Sequence, residues 1–151
     1  MKGKMRKLFA FALAAIMVLA MGITASAQKV GTEAEKTAKI TIDNASKGET
    51  YSVYKLFDAS VTGDEDGSIA YTGNIPDALT SFFTKDAAGN ITATDAAKDA
   101  SGNASEALQI ALAAWAKGQT ATATVASDGS TLEFVGLAYG YYVVTTTQGS
   151  N

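Results

Sequence analysis

The sequence predicts a mainly β domain, in which strands from both ends of the chain pair in one sheet or sandwich around a two-helix insertion. Three observations indicate this fold class. Two early segments read as strands, apolar residues in the middle recur at helical spacing, and three more β-rich segments follow. The chain of 151 residues suits one domain that is long enough to bury a core.

The first two strands are predicted near the start of this domain. The segment "KITID", residues 39–43, alternates strictly and points Ile40 and Ile42 to one side, as in a half-buried strand. The segment "TYSVYKLFD", residues 50–58, carries large apolar groups on both faces, which is typical of a central strand. Alternation assigns one face to Tyr51, Val53 and Phe57, and the other face to Tyr54 and Leu56.

A short strand over residues 68–72 and a short helix beginning at Pro76 are predicted next. Proline lacks an N–H, which costs nothing at the first position of a helix. The inner face of this helix is predicted to hold Leu79, Phe82 and Phe83. Residues 86–102 are weakly patterned, and we expect them to be mobile.

The second helix has the clearest pattern. Asn103 is predicted to cap it, with Glu106 three residues later as in a capping box. Lys117 in the last turn and Gly118 just beyond it are typical helix stop signals. Helical spacing gives an inner face of Leu108, Ala111, Leu112 and Trp115.

Three strands are predicted to close the domain, over residues 121–126, 131–135 and 141–147. The "SDGS" between the first two is a hairpin signal. Alternation places Tyr141 and Tyr142 on opposite faces of the last strand.

The first 27 residues have the layout of a secretory signal peptide. A basic start precedes the apolar run 8–23, and Ala25-Ser26-Ala27 supplies the small residues of a cleavage site, with Ala25 and Ala27 at its two key positions. The alternative is a membrane anchor, for which the run is short. We therefore expect a removed leader over 1–27 and a flexible lead-in over 28–37. We expect the domain itself over 38–147, and the start of a linker or a truncated end over 148–151.

Charge and composition exclude several classes of function. Loss of the leader removes four of the 12 basic residues and none of the 15 acidic ones, which leaves a net charge of −7. An acidic surface repels phosphate backbones and anionic lipid, so neither nucleic acid nor a membrane is an expected partner. The absence of Cys and His excludes disulfides, the usual zinc sites, and nucleophilic systems that need His or Cys. We expect no cofactor.

Carboxylates and aromatic residues offer several candidate sites. Asp64-Glu65-Asp66-Gly67 could bind calcium, although a solvated acidic turn explains it better, and no metal is expected. A pair of carboxylates could hydrolyse glycosides, but no spacing selects two of the candidates, and we do not expect an enzyme. These candidates are Asp58, Asp77, Asp86, Asp95 and Glu133. A sugar-stacking platform could be built from Trp115 and residues 139–142, but Trp115 fits a core role better. Three N-x-S/T triplets, which matter only in a glycosylating host, begin at Asn44, Asn90 and Asn103.

Lys55 is the unusual residue of the second strand, because it shares the face of Tyr51 and Val53. An edge lysine whose stem covers apolar surface explains it most simply. The alternative is a buried lysine with a nucleophilic amine that forms an amide cross-link to an asparagine. We retain Lys55 as a candidate cross-link residue.

Two segments carry a family resemblance. With the leader, "ITIDNASKGETYSVYKLFDAS" and "LEFVGLAYGYYVVTTT" resemble the N-terminal domain of Gram-positive, sortase-assembled fimbrial shaft subunits, the major pilins. The resemblance covers most of residues 38–147, and related surface adhesin modules share its motifs. It implies an Ig-like β-sandwich of the collagen-binding B type, often stiffened by internal Lys–Asn amide bonds. It also implies covalent assembly with other pilin subunits by sortase, through a pilin-motif lysine and an LPxTG-like signal.

The sequence departs from this family at several positions. Asp43 and Asn44 occupy the region where a bond-forming lysine is often found, and residues 145–147 are threonines where related modules often carry a glutamate. These departures argue against an internal cross-link in this segment. Neither a "YPK"-like motif nor an LPxTG-like signal occurs in the 151 residues. Assembly would therefore use parts outside this chain, and we expect it to be the first domain of a longer subunit.

The sequence thus predicts a structural, non-catalytic module of a bacterial cell-surface fimbria or adhesin. The alternative is a free-standing secreted domain that binds a host protein or glycan.

Overall fold

The computed structural model describes residues 10–13, 27–33, 37–62 and 68–147. They form a mainly β structure with two sheets and one α-helix, α1, at Glu106–Lys117. Short 3-10 helices lie at Asp77–Leu79 and Asp95–Ala97. The strands are β1 Ala10–Leu13, β2 Gln28–Val30, β3 Ala38–Ile42, β4 Thr50–Thr62, β5 Ser68–Thr72, β6 Phe83–Lys85, β7 Ile91–Ala93, β8 Ala123–Ala126, β9 Leu132–Leu137 and β10 Gly140–Thr146.

The larger sheet is built around β4, a strand of 13 residues. Its strand order is β1-β10-β4-β5-β7-β6, and β8 also pairs with the first part of β4. The smaller sheet has the order β2-β9-β3, in which β2 runs parallel to β9. Because β4 is paired along both edges, it is the central strand that its apolar residues on both faces predicted.

Two clusters of buried side chains lie on opposite faces of the larger sheet. The first core joins the two sheets, which is consistent with a β-sandwich, and includes Ile40, Val53, Leu132, Phe134, Tyr142 and Val144. The second core joins the larger sheet to α1 and includes Leu56, Phe57, Leu79, Phe83, Leu108, Leu112 and Val143. Alternation along β10 therefore sends Tyr142 and Tyr141 to different cores, as predicted.

The predicted face of Phe57 is wrong because β4 contains a bulge. The register passes from Tyr141↔Phe57 to Tyr142↔Lys55, so that one extra residue, Leu56, lies on the β4 side. An extra residue reverses the alternation beyond it. Phe57 therefore joins Leu56 in the second core, and the assignment of Phe57 to the face of Tyr51 is wrong.

Of the two predicted helices, the second forms α1, whereas the first is only a short 3-10 helix at Asp77–Leu79. The segment after Pro76 makes a 3-10 turn, with Phe82 N bonded to Leu79 O at 3.0 Å. Thr94 N then donates to Phe82 O at 2.9 Å, and β6 begins at Phe83 and pairs with β7. The apolar spacing correctly marked Leu79 and Phe83 as buried, but strand pairing uses the backbone that a longer helix would need.

The "SDGS" segment connects the two sheets instead of closing a hairpin. β8 before it pairs with β4, whereas β9 after it pairs with β2 and β3. Within the expected lead-in, Gln28–Val30 form β2, which pairs with β9. Both features arise because β9 lies between β2 and β3, an arrangement set by contacts distant in sequence.

Residues 86–102 have more local structure than their sequence pattern indicates. Asp86 Oδ1 accepts bonds from the backbone amides two and four residues later, at 2.9 and 2.8 Å. Asp99 Oδ1 repeats this arrangement at 2.8 and 2.9 Å. The repeated "DAAGN" and "DASGN" pentapeptides are the signal for these turns, since aspartate side chains often close turns onto later amides.

The turns closed by Asp86 and Asp99 should make the stability of the fold sensitive to acid. Backbone amide bonds, above all from Asn90 to Asp86 and from Asn103 to Asp99, hold the pKa of both carboxyls below the ordinary value of 3.8. A carboxyl whose pKa is lower in the folded chain stabilises the fold at pH values above its pKa in the unfolded chain. This stabilisation is lost as the pH falls through the pKa of the folded chain. We expect the double variant D86A/D99A to have a lower melting temperature than the wild type at neutral pH. The difference in melting temperature should become smaller below pH 3.8.

Thermal melts at a series of pH values test this expectation. Asp43→Asn, which removes an exposed carboxylate from outside these turns, serves as the control. If the difference in melting temperature between the double variant and the wild type does not change with pH, the charged carboxylates do not have this role.

The cap of α1 is Ser105, two residues beyond the predicted Asn103. Ser105 Oγ accepts from Leu108 N at 3.2 Å and donates to Ala96 O at 2.8 Å. Asn103 lies two residues before this cap, where its backbone N–H donates to Asp99 Oδ1. The predicted end of the helix at Lys117 and Gly118 is confirmed.

Replacement of Ser105 by alanine removes this cap. We expect a loss of about 1 kcal/mol in the free energy of unfolding, the usual value for a serine N-cap. Urea unfolding monitored by circular dichroism measures it, with the exposed Ser101→Ala as the control. Similar losses in the two variants would show that Ser105 does not act as the cap.

Candidate functional site

The two segments that carry the family resemblance lie side by side in the larger sheet. "YKLFDA" lies in β4 and "GYY" begins β10, and their register pairs Gly140 with Asp58, Tyr141 with Phe57, and Tyr142 with Lys55. The bulge at Leu56 lies within this pairing. The motifs therefore describe one contiguous structural unit, although more than 70 residues separate them in sequence.

Steric contacts explain the two glycines of the "F-x-G-L-x-x-G-Y-Y" motif, because a side chain at either position would collide with neighbouring atoms. Gly136 adopts a φ of +71°, and a Cβ there would overlap the carbonyl oxygen of Thr32. A Cβ at Gly140 would lie 2.5 Å from Phe57 O and 2.9 Å from Lys55 Cε. Close approach of neighbouring backbone therefore requires glycine at both positions.

An aromatic cleft opens on the side of the larger sheet that faces the second core. It has a volume of about 320 Å³, and five strands contribute to its walls. Its ring contacts include Phe57 to Phe83, with centroids 5.0 Å apart, and Tyr71 to Tyr141 at 5.7 Å. Such a volume, bounded by apolar walls, falls in the range of small-molecule sites. The aromatic cleft is lined by Phe57, Ile69, Tyr71, Phe83, Ile91 and Tyr141.

The cleft has no charged wall at physiological pH. The phenols of Tyr71 and Tyr141 are neutral at this pH, and burial raises the pKa of both further above the ordinary value of 10.0. Ile69 lies at the rim and is 39% exposed. The cleft is therefore suited to an apolar group that reaches it past an apolar rim.

Tyr142 lies on the opposite face of β10, within the first core. Its hydroxyl donates to Ala138 O at 2.7 Å, which ties the start of β10 back to the preceding loop. Burial, and secondarily the charge of Asp58, raises the pKa of Tyr142 to about 12. Its role is structural, because the ring and the hydroxyl are both engaged.

Lys55 is partly exposed and paired with a carboxylate. Its Nζ lies 2.6 Å from Asp58 Oδ1, and the two side chains are 31% and 65% exposed. The cross-link hypothesis requires a buried lysine against an amide carbon. The structure instead shows the exposed ion pair of a lysine whose stem lies beside Gly140.

We therefore expect folded residues 28–151 to have the mass that their sequence gives. A Lys–Asn bond would release ammonia and lower the mass by about 17 Da. Intact-mass spectrometry measures this directly, and the variant Lys55→Arg, which cannot form the bond, supplies the reference. A loss of about 17 Da in the wild type alone would restore the cross-link.

The other candidate carboxylates lie in an ion pair, in a turn and in the first turns of the 3-10 helices. Glu133 is buried in β9, with Oε2 3.6 Å from Lys39 Nζ. Asp86 closes its turn, and Asp77 and Asp95 lie in the first turns of the two 3-10 helices. In the part of the chain that the structure describes, no three His, Cys, Asp or Glu side chains are grouped to hold a metal. The acidic turn at residues 64–66 lies outside the described residues.

The preferred core role of Trp115 agrees with its position, and the alternative of a sugar-stacking platform is not assembled. Tyr142 is 1% exposed, and Trp115 packs edge-to-face on Tyr54 at 6.5 Å, beside the second core. The aromatic cleft uses Tyr71 and Phe83 instead, which the sequence reasoning missed as site residues. The alternation of Ile69 and Tyr71 in β5 was the available signal, but their meeting with Tyr141 depends on strand order.

The predicted leader falls mostly outside the described residues, including Ala25 of the cleavage site. Ala27 immediately precedes β2, and Ala10–Leu13 form β1. No helix among the described residues is long and apolar enough to cross a membrane.

Comparisons with protein families, with curated proteins and with solved structures find no match to this chain.

Proposed function

We propose that this chain is a structural, non-catalytic module of a bacterial cell-surface fimbria or adhesin, with an Ig-like arrangement of its two sheets. The observation that carries the proposal is the pairing of the two motif segments in β4 and β10. Features of these segments have local structural explanations: the bulge redirects Phe57, and the glycines allow close backbone approach.

The bond from the Tyr142 hydroxyl to Ala138 O supports the Ig-like part of the proposal. A tyrosine near the start of a strand that bonds back to backbone a few residues upstream is a hallmark of such sandwiches, the tyrosine corner. Two cores on opposite faces of one sheet also stabilise the domain without disulfides, which suits a Cys-free extracellular module.

In this proposal the leader is removed after Ala27, and the chain reaches the cell wall. Sortase joins the subunit to other pilin subunits through parts outside the 151 residues, as the resemblance implies. β4 then contributes a long central strand, bonded along both edges, to a module that must resist tension.

Immunoblotting of cell-wall material from the producing organism tests the proposal. With an antibody raised against the denatured chain, we expect a ladder of high-mass bands that survives boiling in detergent, because the subunits are joined covalently. A single band of free protein in the medium, with none in the wall, would overturn the structural role.

The aromatic cleft favours a second candidate function, binding of a host protein or glycan by a secreted domain. Binding to immobilised matrix proteins and glycans tests it. Ile69→Glu at the rim should abolish binding that uses the cleft, whereas Ile110→Glu, on an α1 side chain that is already 62% exposed, should not. Equal binding by both variants would exclude the cleft.

A further inference from the structure

The outer edge of β10 accepts a strand from a distant part of the chain. β1 pairs with it antiparallel, from Ala10↔Val144 to Leu13↔Tyr141. β4 occupies the other edge of β10. Without β1, β10 would therefore become the edge strand of the larger sheet.

The hydrogen-bonding direction of β10 identifies which amides face this edge. Thr147 N donates to Thr50 O of β4 at 3.1 Å. Amides alternate sides along a strand, so that Val143 N also points to β4, while Tyr142 N and Val144 N point to β1. Loss of β1 would leave the last two amides without a strand partner, which is a template for pairing with another chain.

The register also defines what a strand at this edge must look like. Phe11 and Leu13 occupy the positions opposite Val143 and Tyr141, which belong to the second-core side of β10. Alanines occupy the positions opposite Val144 and Tyr142, on the first-core side. The edge thus pairs with an apolar strand of the pattern small-large-small-large.

The described strands of the domain itself offer no substitute for β1. Each strand from β2 to β9 is already paired within the two sheets. A strand that replaces β1 must therefore come from outside the described strands β2 to β9.

We propose that the β10 edge is a strand-acceptor site, and that after removal of residues 1–27 it binds an extended apolar strand of a neighbouring subunit by β-sheet augmentation. This inference rests on the proposed function, in which the leader is removed and subunits assemble. The incoming strand runs antiparallel to β10 with its two larger residues opposite Val143 and Tyr141. Strand addition would then supplement the covalent links between subunits.

A labelled peptide tests the acceptor. The probe carries residues 8–15, "LFAFALAA", with a fluorescein label and terminal lysines for solubility. We expect saturable binding to the processed chain by fluorescence anisotropy, and binding at least about tenfold weaker to residues 1–151, where β1 occupies the edge. A control peptide with serine at the positions of Phe11 and Leu13 should not bind.

Amide hydrogen exchange locates the bound peptide. The probe should slow exchange at Tyr142 and Val144 and leave Val143 unchanged, since Val143 is bonded to β4 in either state. If the processed chain does not fold, the double substitution Phe11→Ser and Leu13→Ser in the full chain releases β1 instead, and the same two amides should become accessible and bind the probe.

The remaining outcomes separate the proposals. Equal binding of both peptides, or of the probe to both chains, would show non-specific adhesion and overturn the acceptor site. Absence of binding would also overturn the acceptor site. This result is expected if residues that follow in the same polypeptide occupy the edge of β10. A cell-wall ladder without peptide binding rejects only the acceptor, whereas peptide binding without a ladder rejects only the fimbrial role.

Discussion

Replacement of Leu112 by alanine should lower the free energy of unfolding by about 3 to 5 kcal/mol. Leu112 is fully buried at the centre of the second core, where it joins α1 to the larger sheet. Truncation removes buried methyl groups and leaves a cavity that a close-packed core fills only in part. Urea unfolding, monitored by circular dichroism and by Trp115 fluorescence, measures the change.

Ile110 in the same helix provides the matched control. Its side chain is 62% exposed, so Ile110→Ala should change stability by no more than about 0.5 kcal/mol. The two substitutions share helix propensity effects, and the difference between them reports burial. If both cost the same, α1 does not pack on β4 and β10 as the structure shows.

The second large effect is expected for Gly136→Ala, at about 2 to 5 kcal/mol. The residue has a φ of +71°, which costs an L-residue roughly 1 to 2 kcal/mol. The added Cβ also overlaps the carbonyl of Thr32, so that β9 or the segment after β2 must shift, which adds about 1 to 3 kcal/mol. Chemical denaturation gives the sum.

Gly48→Ala isolates the backbone part of this cost. Gly48 has a φ of +89°, but no atom lies within 4 Å of a Cβ placed there. We therefore expect only the strain of roughly 1 to 2 kcal/mol. A loss at Gly136 no greater than that at Gly48 would show that Thr32 does not approach β9 closely.

Local patterns predicted the elements whose surroundings are simple. β3 follows strict alternation, with Ile40 buried and Lys39 exposed, because one face of an outer strand meets the core. The end of α1 was predicted correctly, with Lys117 in the last turn and Gly118 as the C-cap. The opposite faces of Tyr141 and Tyr142 follow from the pleat alone.

The errors arise from interactions that hydrophobic spacing does not report. Thr94 N donates to Phe82 O, and strand pairing begins where the predicted first helix would continue. The turn closed by Asp99 includes Asn103, and Ser105 supplies the side-chain cap of α1. The bulge at Leu56 inverts the face of Phe57, and no alternation rule contains that extra residue.

The sequence by itself determined the mainly β class, the position of α1, the buried character of the apolar residues in β4 and β10, and the classes of chemistry that lack of Cys and His excludes. Each of these depends on composition or on short-range periodicity. Only the tertiary structure decided the aromatic cleft, the acceptor edge of β10 and the reasons for Gly136 and Gly140. These features arise where strands far apart in sequence meet, and that meeting depends on register and strand order, which no local pattern specifies.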